Sequence, residues 1–200
     1  MIKNKNGILF VISGPSGVGK GTITKALFEK ISNVLLSVSV TTRIPRNGEI
    51  QGNNYFFVNI HEFEQMINDD GFLEWAQVYQ NYYGTPRKFV MENLARKRDI
   101  ILEIDTQGAL QVKKNMPQGI FIFIAPPNVA ELAKRIKLRG KDSEESIQTR
   151  LSAVKQELEH MKFYDYVVVN EDLELAVEKV KAIIIAERCR YGNILMEGSS

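Results

Sequence analysis

The sequence predicts an α/β protein with a parallel β-sheet core and helices on both faces. Three observations predict it. Short, continuously apolar runs recur along the chain, as expected of strands buried on both sides. A stretch of helical character follows each run. The first run is joined to its helix by a glycine-rich turn. With 200 residues, 44% of them apolar and 25% charged, the composition is that of one globular domain and excludes a disordered or collagen-like chain.

Ile8–Ile12 is the first apolar run, and Lys20–Ile31 is its helix. Ile100–Ile104, Ile120–Ile124 and Tyr166–Val169 are further buried-strand candidates, followed by helical stretches at Gln107–Asn115, Val129–Arg139 and Leu173–Arg190. The middle departs from this rhythm. Leu35–Val40 alternates, with Leu36, Val38 and Val40 on one side and Ser37 and Ser39 on the other. Tyr55–Val58 and Phe72–Tyr79 also read as strands, with a short helix at Glu62–Asn68 between them. The expectation is a core of about 1–34, 86–140 and 160–190 carrying two appendages. One is a small, mostly antiparallel β insert at about 35–85. The other is a segment at about 140–160, whose polar stretch Lys141–Ser146 follows Gly140, and a flexible tail is expected over 191–200.

Several function classes are excluded. The longest apolar runs, such as Ile8–Ile12 and Ala182–Ala186, are far too short to span a bilayer, so no membrane role is expected. The first residues carry no signal-peptide pattern, because only five apolar residues precede Ser13 and Gly14. The single cysteine, Cys189, excludes an intramolecular disulfide framework, and a cytoplasmic location is expected. Twenty-six Lys plus Arg against 24 Asp plus Glu leave +2, without the broad basic surface of a nucleic-acid binder.

The first chemical motif is Gly14-Pro15-Ser16-Gly17-Val18-Gly19-Lys20-Gly21-Thr22. Glycines five apart followed by lysine form a phosphate-binding P-loop. The glycines let backbone N–H groups turn inward, the next helix aims its N-terminus at the anion, and lysine adds a point charge. These nine residues are the expected phosphate-binding loop. One position departs from the pattern. The residue after the lysine is ordinarily Ser or Thr, a ligand of Mg²⁺, and here it is Gly21, with the hydroxyl one later at Thr22. Either Thr22 contacts phosphate, or Mg²⁺ is held mainly by phosphates, water and acidic residues elsewhere.

A second constellation lies in the loop between Leu35–Val40 and Tyr55–Val58, where Arg43 and Arg46 stand beside Thr41, Thr42 and Tyr55. Two guanidiniums and several hydroxyls suit a phosphate clamp. The run Thr41-Thr-Arg-x-x-Arg-x-x-Glu49-x-x-Gly52-x-x-Tyr55-x-Phe57 resembles the signature of the guanylate kinase family. The resemblance continues through Phe-Leu-Glu74-Trp-Ala, Asn-Tyr-Tyr83-Gly-Thr85, Ile-Leu-Glu103-Ile-Asp105-x-Gln-Gly108, Phe-Ile-Ala-Pro-Pro127 and Val-Val-Asn170, over about residues 8–190.

The resemblance implies a P-loop nucleoside monophosphate kinase fold, with a GMP-binding insert and a lid, that moves the γ-phosphoryl group of ATP to GMP. Carried over by position, Ser39, Arg43, Arg46, Glu49, Tyr55 and Tyr83 hold the GMP phosphate and its surroundings. Glu74 and Thr85 read the guanine. Lys20, Arg43, Arg135, Arg139 and Arg150 supply positive charge to the transferring group, and Asn170 lies where the family approaches the ATP purine. ATP and GMP are the implied small-molecule substrates and Mg²⁺ the implied cofactor.

The residue types support these roles. Guanine offers N1–H and N2–H₂ as adjacent donors to an ionised carboxylate at Glu74, whereas adenine has no N1–H. Glu103 and Asp105 close an apolar strand at the end where ligands bind in open α/β sheets, and being two apart they share a face. They can order Mg²⁺ waters or meet GMP. The family often has Asp where this chain has Glu103. Arg135 and Arg139 are four apart on one helix face, and Asp142 with Glu145 can cap the helix that carries Arg150. Plainer readings suffice for Trp75 and Phe56-Phe57 as core, for His61 and His160 as side chains without metal partners, and for Arg96–Arg98 as a helix end. Two other functions stay open on the sequence: a guanylate-kinase-like protein-binding module, and a P-loop kinase for another acceptor such as AMP. The intact loop weighs against the first and Glu74 against the second.

Overall fold

The apolar run at Leu9–Ser13 becomes β2, buried along its whole length at the centre of the sheet. The computed structural model describes residues 2–4, 6–78, 80–138, 152 and 154–196. Its main sheet has five parallel strands in the order β10-β9-β2-β8-β3, formed by Tyr166–Val169, Ile120–Ala125, β2, Asp99–Glu103 and Val34–Leu36. Successive residues of β2 point to opposite faces. Phe10 and Ile12 pack with Ile23 and Leu27 of α1 (Lys20–Phe28) and with Val180 and Ile184 near the chain's end. Leu9 and Val11 pack with Val90, Leu94, Ala109 and Val112 on the other side. Two separate hydrophobic layers therefore require every residue of β2 to be apolar or small, which is why the run is continuous and not alternating.

Alternation misleads at Leu35–Val40, which is not one strand. Leu35 and Leu36 belong to β3 of the main sheet, and Leu36 is 43% exposed. The chain leaves that sheet at Ser37, whose N–H still bonds to Ile101 O at 2.9 Å, and Ser39 O already accepts from Phe56 in the next sheet. Val40–Thr41 (β4), Phe56–Phe57 (β5), Phe72–Val78 (β6) and Asn81–Pro86 (β7) form that four-stranded sheet in the order β5-β4-β7-β6. Its β4–β7 and β6–β7 pairs are antiparallel and its β4–β5 pair is parallel. Between β5 and β6, α2 (Ile60–Asn68) begins at a capping box of Asn59 and Glu62 and buries Phe63 against Phe72, ring centroids 4.5 Å apart.

Two more expectations are corrected. Trp75 is not core. It is 38% exposed, because β6 is the edge of the small sheet, and its backbone N–H and C=O bond to the Gln111 side chain. Phe56 and Phe57 are half-buried. Within the expected tail, Ile194–Met196 (β11) pairs antiparallel with Ile2–Asn4 (β1). The remaining helices are α3 (Arg87–Ala95), α4 (Thr106–Asn115), α5 (Val129–Leu138) and α6 (Leu173–Arg188). Residues 154–159 are helical too. Arg139, Arg150, the Asp142–Glu145 cap and most of the 140–160 segment lie outside the described residues.

Asp99, at the start of β8, ties three elements together. It is 3% exposed, accepts from Ile8 N at 2.8 Å, and pairs with Arg188 Nε at 2.7 Å, while Arg188 also donates to Ser32 O. Removing the carboxylate leaves a buried N–H unsatisfied and the guanidinium unpaired. Asp99→Ala is expected to cost ~3 kcal/mol of unfolding free energy, read as a lower urea midpoint. A midpoint unchanged from wild type would show that the clamp contributes nothing.

Candidate active site

The C-terminal ends of β2, β8 and β9 converge on one place, and the glycine-rich turn from β2 to α1 lies across it. The turn is tightly fitted. Gly14 has φ 144, and a Cβ there would lie 2.2 Å from Ile124 O of β9. Gly19, the N-cap of α1, has φ 101, and its Cβ would lie 2.6 Å from Asn170 Nδ2. No other residue type fits either position. Val18 is buried, and its carbonyl accepts from Asn170 Nδ2 at 2.8 Å, so a side chain from the end of β10 pins the loop from beneath. Pro15 is buried and Ser16 exposed at the loop's crest, while Gly17 adopts φ 83. The first turn of α1 carries no acidic side chain, so its N–H groups and dipole are left for an anion. Lys20 Nζ donates to Gly14 O at 2.6 Å and Pro15 O at 3.1 Å, which holds the ammonium over the loop.

Two cavities flank this loop. One, of about 340 Å³, is lined by Gly17, Gly19, Thr22, Arg135, Asn170 and Glu171, with Leu173. Arg135 is steered into it by Glu131, at 3.3 Å, and by the Asn170 carbonyl, at 3.1 Å. The other, of about 180 Å³, lies between the two sheets and gathers Ser39, Tyr55, Glu74, Tyr83, Glu103 and Asp105. A cavity of about 410 Å³ at the opposite end of the main sheet is lined by residues such as Ile8, Leu94 and Met116 and by no ionisable group, so it offers no comparable chemistry.

Glu74 is the buried charge of the second cavity. Thr85, opposite it across β6 and β7, donates its hydroxyl to Glu74 Oε1 at 2.5 Å. Burial pushes the Glu74 carboxyl up to about 7, the Thr85 hydroxyl opposes this, and the negative Asp105 adds to it. Gly108 makes room for the group: a Cβ at this helical position would lie 3.1 Å from Glu74 Oε2. Asp105 caps α4 by accepting from Gly108 N at 2.8 Å. The sequence reading missed the part played by Gly108. Its only signal was a glycine in the first turn of a helix, where glycine otherwise costs stability.

The arginine loop is organised by Glu49. Its carboxylate accepts from Arg43 Nη2 at 2.8 Å and from Arg46 N at 2.7 Å. This pairing holds the Glu49 carboxyl below the usual range. Arg43 also lies over the rings of Tyr55, at 5.4 Å, and Phe57, at 5.8 Å, while Arg46 is exposed. The Tyr55 and Tyr83 rings meet edge to face 6.0 Å apart, and burial raises the Tyr55 hydroxyl. Glu157, from the helical residues 154–159, comes close enough to Lys20 and Asp105 to feel their charges. Burial raises its carboxyl, and attraction to Lys20 opposes that. Gly21 and Glu103 face each other across the strand–helix junction, with a Cβ at Gly21 lying 3.2 Å from Glu103 Oε1.

The geometry thus joins an anion-binding loop with its lysine, a flanking cavity with an arginine, and a second cavity with a buried carboxylate, on whose Tyr55 the Arg43 guanidinium rests. Known proteins share this frame. The Guanylate kinase family model matches residues 6–187. Guanylate kinase of Syntrophomonas wolfei is 58% identical over 193 residues, covering 96% of this chain and 99% of the relative. That of Caldanaerobacter subterraneus is 58% identical over 186 residues, covering 93% and 90%. The crystal structure of guanylate kinase from Anaplasma phagocytophilum superposes with a TM-score of 0.77 at 35% identity, covering 98% of this chain and 93% of that one. Matched along nearly its whole length in sequence and in fold, the chain belongs to the guanylate kinase family.

Proposed function

We propose that the chain transfers the γ-phosphoryl group of ATP to GMP, forming ADP and GDP, and that Glu74 selects the acceptor. The observation that carries this reading is the buried Glu74 carboxylate, backed by Thr85, opening into a cavity beside the P-loop. Guanine would pair its N1–H and N2–H₂ with that carboxylate. Adenine would leave it buried with fewer donors, at a cost of ~1–3 kcal/mol or more.

The donor phosphates would lie on the Gly14–Gly19 backbone and the N-terminus of α1, with Lys20 turning from the loop carbonyls to the outer phosphates. The ATP base would lie on the side of Arg135 and Asn170. Arg43 and Arg46, with Ser39, Tyr55 and Tyr83, would hold the GMP phosphate, and Glu49 would set the Arg43 fork. A GMP phosphate oxygen then forms the new bond to the γ-phosphorus, while the bond to the β,γ-bridging oxygen breaks and ADP carries away the electron pair. Lys20, Arg43 and Arg135, joined by Arg139 and Arg150, would face the charge spread over the migrating group. No general base is required, because the nucleophile is already an anion.

Mg²⁺ fits the donor set. No group of three or more His, Cys, Asp or Glu gathers for a metal among the described residues, but single oxygen donors at Thr22 and Asp105 flank the loop. A hard cation held mainly by phosphates and water matches that arrangement. When bound, it neutralises phosphate charge and aligns the donor. The insert at about 35–85 and the lid at about 140–160 would close over the phosphates and exclude water. No described helix is long and apolar enough to cross a membrane. A single, exposed cysteine suits a reducing compartment, and we place the enzyme in the cytoplasm.

Coupled ADP production with Mg-ATP tests the reading. GMP is expected to drive strong turnover and AMP little, and ATP hydrolysis without acceptor should be far slower than transfer. Equal turnover with AMP, or equal rates without acceptor, would overturn acceptor selection or closure respectively. Lys20→Ala is expected to lower turnover on the order of 10²–10³-fold with an unchanged melting temperature. Normal activity in that variant would remove the P-loop from the mechanism.

The raised Glu74 carboxyl gives a pH dependence with a definite sign. Only the ionised form accepts both guanine donors, and in the free protein it is protonated below about pH 7. GMP affinity should therefore rise ~tenfold per unit as pH climbs towards 7, then level off. Titration calorimetry from pH 5.5 to 8.5 checks this against Glu74→Gln, which retains only the titration of the nucleotide phosphate. Identical profiles for the two proteins would show that Glu74 does not read the base as a carboxylate.

A further inference from the structure

Two departures from the expected pattern meet at one point in space. The residue after the P-loop lysine is Gly21, where a hydroxyl ligand for Mg²⁺ is ordinary. The acidic residue ending β8 is Glu103, one methylene longer than Asp. They are far apart in sequence, yet a Cβ on Gly21 would stand 3.2 Å from Glu103 Oε1 and 3.8 Å from Oε2. The Glu103 carboxylate thus reaches the place where the side chain of a Ser or Thr at 21 would begin.

Glu103 is not occupied structurally. It is only partly buried, and among the described residues no hydrogen bond or ion pair engages its carboxylate. Two other acids of the site already have protein partners: one oxygen of Asp105 accepts from Gly108 N, and Glu74 takes the Thr85 hydroxyl. A half-buried carboxylate at the C-terminal edge of the sheet, next to an anion-binding loop, lacks the protein cation that its burial would call for. Thr22 does not substitute at this spot, since it opens into the other cavity with Arg135.

The geometry points to a compensated exchange: Glu103 supplies, from β8, the metal-facing oxygen that the missing hydroxyl at position 21 would otherwise supply from α1, into space that Gly21 leaves open. This inference rests on the proposed ATP chemistry, and it moves Glu103 from the guanine side of the site to the metal side. Its consequence is reciprocal. Shortening Glu103 withdraws the oxygen, and restoring a hydroxyl at 21 repairs the loss only if the acid is also short.

Mn²⁺ bound with ADP, followed by electron paramagnetic resonance, tests this without turnover; Mn²⁺ prefers the same oxygen donors. The proteins are wild type, G21S, E103D, E103Q and G21S/E103D. Relative to wild type, E103D and E103Q are expected to weaken Mn²⁺ about tenfold or more, and G21S/E103D to return to within about threefold. G21S alone should gain nothing, because Ser and Glu compete for the same space. ADP affinity measured without metal is followed for every protein, so that a change in metal binding is separated from damage to the loop. E103D and E103Q both within twofold of wild type for Mn²⁺, or a double variant no tighter than E103D, would overturn the proposal. Absence of GMP-dependent ADP formation in wild type would instead overturn the transfer reading and leave the metal cycle interpretable.

Discussion

The backbone of the turn between β2 and α1 can lie across the strand ends only because nothing projects from it downward. At Gly14 the chain passes within a Cβ's reach of the Ile124 carbonyl, and at Gly19 it rests on the Asn170 amide. Asn170 in turn donates to Val18 O and offers its own carbonyl to Arg135. Loop, donor-side arginine and the end of β10 are therefore one mechanical unit. Because the buried strand β9 holds that unit through backbone ladders to both β2 and β10, the loop's N–H groups keep their aim without help from a bound anion.

The cavity that holds Glu74 is built on a different principle. Here a carboxylate is buried deliberately, and its cost is spread over several neighbours. Thr85 donates to Glu74, Gly108 clears space for its second oxygen, and Asp105 stays close enough to make ionisation harder. A group balanced near neutrality in the free protein is a sensitive reader, since donors that favour the charged form are rewarded and others are not. The arginine loop shows the opposite economy. Glu49 and two aromatic rings hold Arg43, so that the guanidinium is organised in advance of any ligand.

Gly21 and Glu103 illustrate how a local motif can be satisfied non-locally. Judged on the loop alone, the glycine is a missing ligand, and judged on the strand alone, the glutamate is an over-long acid. Only the parallel register of β2 and β8, with Ile12 beside Glu103, puts the two at the same point. The same register sets the spacing between the loop lysine and the second cavity, so both are fixed by one pair of strands.

Much of this protein follows from its sequence. The α/β class, the four strand runs, the loop and its lysine, and the arginine segment are legible because each depends on residues within one turn or one strand, although Tyr166–Val169, expected to be buried, is an edge strand with Val167 and Val169 exposed. Periodicity reports burial and glycine spacing reports backbone shape, and both are local. The tertiary structure decided what local signals cannot carry. It split Leu35–Val40 between two sheets, turned Trp75 to the surface at an edge, and paired Ile194–Met196 with Ile2–Asn4. It also gave Gly108 its purpose against Glu74 and brought Gly21 to Glu103. These outcomes depend on which elements become neighbours. That choice is made by the sum of buried surface over the whole chain, and no single segment contains it.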